Sequence, residues 1–228
     1  SIVRMAPAAQ RKRILALHGK GGDAASFSRR LAPLADRLGD TAELVFLDAP
    51  HEAADGKGRQ WWNLPPGVQR SFEADAYHGV AASIATLEAA FAADEVHGML
   101  GFSQGAMLMA FFIARNLQKR ISGEQAVMPR KAAIVGAAWP KPYRHELEAL
   151  KDMEGINFLG CDTLHVIGDA DEINPPDQAT EVWKCFGAAG TMMRHAGGHI
   201  VPMDDESLDV LAGFLALDEC DEEEECTL

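Results

Sequence analysis

Gly101-Phe102-Ser103-Gln104-Gly105 decides how this chain is read. The apolar run Val96–Phe102 (VHGMLGF) enters it and the Ala/Met-rich stretch Ala106–Gln118 leaves it, so the pentapeptide sits on a strand-to-helix turn. G-x-S-x-G needs that setting. Small residues at both ends let the backbone turn tightly, which lifts the serine hydroxyl onto the tip with the following N–H groups pointing forward. Ser103 is therefore the candidate nucleophile. A competing reading gives it only the duty of a helix N-cap, its oxygen accepting a backbone N–H.

Outward from this turn, short apolar runs alternate with helix-length amphipathic stretches. Strands are expected at Ile14–His18, Glu43–Asp48, Val96–Phe102, Ala132–Gly136, Thr163–Gly168 and Thr191–His195. They are rich in Val, Ile and Leu and bounded by Gly, Pro or Asp, as buried parallel strands are. Helices are expected at Phe27–Leu38, Glu73–Ala92, Ala106–Gln118, Arg144–Met153, Pro176–Ala188 and Glu206–Leu217. This alternation specifies one α/β domain over residues 13–217, a mostly parallel sheet of about six strands with helices on both faces. Functional residues then belong on loops at the carboxyl ends of the strands.

The 228 residues are 47% apolar and 24% charged, ordinary for a globular chain with a real core. No apolar run is long enough to span a membrane. A net charge of −13 argues against nucleic acid and anionic membranes as partners. Seven of the acids fall in the tail, residues 218–228 (DECDEEEECTL), and taking seven away from −13 leaves an ordinary −6. The tail reads as a solvated extension. Residues 1–12 are basic and acid-free, in the manner of a transit remnant or a processed end, and are set aside from the fold. The four cysteines, Cys161, Cys185, Cys220 and Cys226, show no CxxC spacing or secretory context. Free thiols in a reducing compartment are expected, with a Cys220–Cys226 loop as the alternative. The expected location is cytoplasmic, with organelle import through a removed N-terminal segment as the other route.

A serine hydroxyl needs an adjacent base, itself oriented by a carboxylate, and in this architecture the chain order is Ser, acid, His. His145 falls in a helix pattern and His165 in a strand. His199, in the glycine-bearing loop His195-Ala-Gly-Gly-His199, is the expected base; His195, at a strand end, is the competitor with a structural role. In Gly168-Asp-Ala-Asp-Glu-Ile-Asn-Pro-Pro176, Asp171 is the best-placed acid. Asp169 is close enough to the strand to serve loop hydrogen bonds, and Glu172 can point to water.

Acyl transfer also requires two N–H donors aimed at the developing oxyanion. The candidates are Gln104 N–H and, from the loop His18-Gly-Lys-Gly-Gly-Asp23, Lys20 N–H with Gly21 next. The same loop fits G-x-G-x-x-A, and Asp48 ends the second strand, so a dinucleotide-binding oxidoreductase is a rival class. That reading leaves Gly101–Gly105 and His195–Pro202 without a purpose.

LHGKGG (Leu17–Gly22), FLDAPH (Phe46–His51), RQWW (Arg59–Trp62), GFSQG, GDADEINP (Gly168–Pro175) and HAGGHIVP together resemble the FSH family of serine hydrolases, from Ile14 to Leu217. The resemblance implies a compact α/β-hydrolase domain with little or no lid, needing no cofactor and no metal, with Ser103, Asp171 and His199 as its triad. It implies esterase or thioesterase activity on small-molecule acyl or alkyl substrates, medium- or long-chain alkyl esters among them, or on polyketide acyl chains released from carrier proteins, as in fungal relatives. Ile173-Asn174-Pro175 departs from the family's usual valine-proline. Trp61 and Trp62 are candidates for an acyl-pocket wall, with packing on the core as the alternative, and Trp139 could line the same cleft. Met107, Met109, Phe111 and Phe112 read as core. The expected chemistry is an acyl-enzyme on Ser103, with activity falling as pH drops and His199 protonates. A non-catalytic binding protein on the same fold is the other possibility. Oligomeric state is not legible.

Overall fold

The computed structural model describes residues 11–53, 56–151 and 160–216. The N-terminal extension up to residue 10, the acidic tail with Cys220 and Cys226, Met153 and Leu217 lie outside these residues. Six strands, β1 (Lys12–Leu17), β2 (Ala42–Leu47), β5 (Gly98–Phe102), β6 (Lys131–Val135), β7 (Asp162–Gly168) and β8 (Gly190–His195), form one sheet in the order β2-β1-β5-β6-β7-β8. Every pairing in it is parallel. Each strand lies within two residues of its expected bounds.

Alternation along β1 sends Leu15 and Leu17 to one face and Ile14 and Ala16 to the other. The first face is covered by α3 (Val80–Ala93), α4 (Gln104–Ile121), α5 (Arg144–Lys151) and α6 (Pro176–Phe186), the second by α1 (Ala24–Arg30), α2 (Ala32–Leu38) and α7 (Asp205–Leu215). The strand order reverses direction between β1 and β5, so the loops leaving their carboxyl ends diverge and open a crevice. The loops that carry Lys20 and Ser103 are these two.

Three local features differ from expectation. The helix expected over Phe27–Leu38 is two helices that meet at Leu31, because Pro33 suits a helix start and not a helix interior. The helix expected from Glu73 begins at Val80, after Gly79 at φ +83°. A two-stranded antiparallel ribbon, β3 (His51–Glu52) with β4 (Arg59–Gln60), was not foreseen. It braces the loop after β1 through Gly21 N–H to Arg59 O (2.8 Å) and Arg59 N–H to Gly22 O (2.7 Å). Among the described residues no helix is long and apolar enough to cross a membrane.

Candidate active site

Ser103 has φ 54° and ψ −116°, and is the one non-glycine at positive φ among the described residues. Such backbone is costly and persists only where its surroundings over-determine it. Here they do. Ser103 N–H donates to Val135 O (2.9 Å), and its carbonyl accepts Met107 N–H (3.0 Å) to begin α4. A Cβ on Gly101 would lie 2.8 Å from Ala106 Cα, and one on Gly105 would lie 2.5 Å from Leu17 O, so both ends of the motif must be glycine. Although Ser103 stands at the N-cap position, its side chain makes no cap hydrogen bond. The hydroxyl is turned to His199.

His199 Nε2 lies 2.8 Å from Ser103 Oγ, and Nδ1 lies 2.7 Å from Asp171 Oδ2. A carboxylate only accepts, so Nδ1 carries the proton and Nε2 is left to accept from the serine hydroxyl. Asp171 is 4% exposed. Its other oxygen, Oδ1, accepts the N–H groups of Ile173 (2.9 Å) and Asn174 (2.8 Å), which pins the carboxylate and reserves Oδ2 for the imidazole. The ring of His199 packs on Phe102 with centroids 4.8 Å apart. His195 and Asp169 sit elsewhere: His195 Nδ1 accepts Gly197 N–H (3.2 Å), and the Asp169 carboxylate pairs with Arg194. His165 is buried within β7, its Nε2 3.1 Å from Thr163 Oγ1.

The loop after β1 presses against the serine, since a Cβ on Gly19 would lie 3.1 Å from Ser103 Cβ. His18, 1% exposed, sets its conformation. Nε2 accepts Ala49 N–H (3.2 Å), so Nδ1 carries the proton and donates to Gly19 O (2.8 Å), which also accepts Gly22 N–H (3.1 Å). The peptide is planar and trans, so Lys20 N–H is directed to the opposite side. Burial holds the His18 imidazole below its ordinary pKa, which favours the neutral form this bonding requires. Asp48, the acid a dinucleotide reading would use, is committed locally and accepts Ala24 N–H (2.8 Å), while Asp23 caps α1 through Ser26 N–H (2.6 Å).

A cavity of about 230 Å³ opens at Ser103 and His199. A family profile described as "Serine hydrolase (FSH1)" matches residues 5–211. The chain belongs to this family of serine hydrolases. Relatives of this FSH1-family hydrolase include Esterase OVCA2 of Xenopus tropicalis, 30% identical over 86% of this chain and 89% of that protein. Esterase AGAP003155 of Anopheles gambiae is 29% identical over 85% of this chain and 73% of its own length. Among solved structures, Zea mays acyl-protein thioesterase 2 superposes with a TM-score of 0.65 at 17% identity, covering 92% and 95% of the two chains. That likeness is one of fold, and the fold is that of an α/β-hydrolase. The dinucleotide alternative lapses with the family assignment.

The tryptophans expected at the pocket of this FSH1-family hydrolase are not there. Trp61 and Trp62 are fully buried in the core and line no part of the cavity. The Gln104 side chain draws them in: Oε1 accepts Trp61 N–H (2.7 Å) and Nε2 donates to Trp62 O (3.1 Å). Trp61 Nε1 donates to His18 O (2.8 Å), and Trp62 stacks on Tyr77 with centroids 4.4 Å apart. Trp139 is likewise absent from the lining and packs against the core, with Lys151 over its ring. Met107, expected as core, is 1% exposed yet contributes to the cavity wall with Phe102. Sequence reasoning passed over Gln69, Arg70 and Ser71, which also line the cavity. They lie on an excursion whose base is closed by reciprocal hydrogen bonds between Asn63 and His78 (2.9 Å each).

Proposed function

We propose that this chain hydrolyses carboxylic esters or thioesters through an acyl-enzyme on Ser103. The observation that carries the reading is the continuous array Asp171–His199–Ser103, with contacts of 2.7 and 2.8 Å, ending on a backbone-strained serine at a cavity. His199 Nε2 takes the Ser103 proton as Oγ attacks the acyl carbonyl, and the N–H groups of Gln104 and Lys20 hold the oxyanion. Asp171 keeps the tautomer and stabilises the imidazolium. His199 then returns the proton to the leaving alcohol or thiol. Water, activated by the same imidazole, attacks the acyl-serine, and the carboxylic acid departs. The relatives named as esterases and the neighbour named as a thioesterase support the two linkages.

A cavity of about 230 Å³ lies below the roughly 300–1,000 Å³ of sites that engulf a drug-sized ligand, so short acyl groups are favoured over long ones. The test is hydrolysis of p-nitrophenyl esters from acetate to palmitate by wild type and Ser103→Ala. Turnover that peaks at short chains and vanishes in the variant is expected. Equal turnover by the variant would overturn the assignment of Ser103. If every ester resists, a fluorophosphonate probe should still label Ser103, and absence of both would favour a non-catalytic binding protein.

A further inference from the structure

We propose that Lys20 and Arg70 form an anion subsite at the Ser103 cavity, so that preferred substrates carry a carboxylate or other anionic group near the scissile ester. The inference rests on the hydrolase reading above. Acids outnumber bases 34 to 21 in the chain, yet besides His199 the ionisable side chains lining this cavity are Lys20 and Arg70, and no carboxylate lines it. The bias runs against the charge of the whole protein.

Both cations also lack the carboxylate partners that several other basic residues have. Arg37 pairs with Asp205 and Asp209, Lys141 with Asp75, Lys184 with Glu181 and Arg194 with Asp169. Among the described residues no carboxylate pairs with Lys20 or Arg70. Arg70 is nonetheless held in place. Its Nη1 donates to the carbonyls of Glu172 and Ile173, and its guanidinium lies 6.0 Å from the Phe72 ring centroid. Neutral partners position the group without cancelling its charge. Gln69 and Ser71, on either side of it, add neutral polar groups to the same wall. A half-buried guanidinium and an exposed ammonium lining one cavity suit a carboxylate or phosphate, since charge-assisted hydrogen bonds are stronger than neutral ones.

The test compares esters that differ by one charge. On the acyl side, mono-p-nitrophenyl glutarate is set against its methyl ester. On the leaving-group side, S-butyryl-3-mercaptopropionate is set against its methyl ester. At low salt, kcat/KM in at least one pair should favour the anion by about tenfold, and the preference should shrink as ionic strength rises. The responding pair identifies the side that carries the charge. Arg70→Gln and Lys20→Ala should each cut the ratio several-fold, whereas Arg70→Lys should keep most of it. Each ratio is taken on one preparation, so a general loss of activity cancels.

A ratio at or below one in both pairs, or a ratio that neither variant moves, overturns the subsite while leaving the hydrolase intact. If Ser103 takes a fluorophosphonate but turns over none of these esters, protection from labelling decides. Glutarate should protect at lower concentration than glutaramide, and equal protection overturns the subsite. Absence of both labelling and turnover overturns the hydrolase reading and the subsite with it.

Discussion

Gln104 and Trp61 are bound side chain to backbone, Oε1 accepting the Trp61 N–H at 2.7 Å, across 43 positions of sequence. The residue that follows the candidate nucleophile thus fastens the Trp61–Trp62 segment beneath it, and Trp61 in turn ties to His18 O. Replacing Gln104 by Leu would leave Trp61 N–H and Trp62 C=O buried without partners. Each such group costs about 1–3 kcal/mol. A loss of roughly 2–4 kcal/mol in urea unfolding is expected for Gln104→Leu, and a loss below 0.5 kcal/mol would contradict this role.

His18 supplies the clearest positioning test. Phe at this site keeps the ring but removes both the bond to Ala49 N–H and the bond to Gly19 O, freeing the peptide that presents Lys20 N–H. Removal of a whole oxyanion donor costs about 10²–10³ in kcat, so a misdirected one should cost about tenfold to a hundredfold. His18→Phe should therefore lower kcat with little change in KM. A reversed pattern, with KM raised and kcat intact, would place His18 in substrate binding instead.

Glycine requirements separate into two kinds that one pair of variants distinguishes. In Gly105→Ala the new methyl meets Leu17 O at 2.5 Å and His18 O at 2.7 Å, so β1 and α4 must part and both stability and activity should fall. Gly213, exposed on α7, has nothing within 4 Å of an added Cβ. Gly213→Ala should raise stability by about 0.5–1 kcal/mol through lower unfolded-chain entropy and better helix propensity. Thermal melts of the two variants check both signs.

Stability should fall on acidification from near-neutral pH. Burial pushes His165 down from 6.5 to about 3, and it also lowers His18 and His195. In the window between the two His165 values the unfolded chain binds a proton that the folded chain refuses, so the contribution is complete above pH 6.5 and declines as pH falls toward 3. One such histidine contributes a slope of about 1.4 kcal/mol per pH unit. His165→Leu should flatten the dependence of urea-unfolding free energy on pH across this window by about that amount. An unchanged slope would mean His165 is not kept neutral.

The nucleophile turn was legible because everything it needs is local: two glycines, a serine, a strand before and a helix after. Asp171 and His199 were chosen on loop position, since both leave carboxyl ends of parallel strands, whereas the split at Leu31 was missed although Pro33 signals a helix start. The fate of Trp61 and Trp62 was not legible. An indole pair on a loop serves a pocket or a core equally well, and the deciding carboxamide of Gln104 lies in another element. Arg70 was missed for a similar reason. Its placement depends on the Asn63–His78 closure and on carbonyls of the Asp171 loop, and no local periodicity records such contacts.

The central claim, an acyl-enzyme on Ser103, is tested most directly by acid-quenching the protein during turnover of p-nitrophenyl butyrate and mapping the added mass. A butyryl adduct on the Ser103 peptide, absent from Ser103→Ala, is the predicted result. An adduct on another residue, or undiminished hydrolysis by Ser103→Ala, would contradict it.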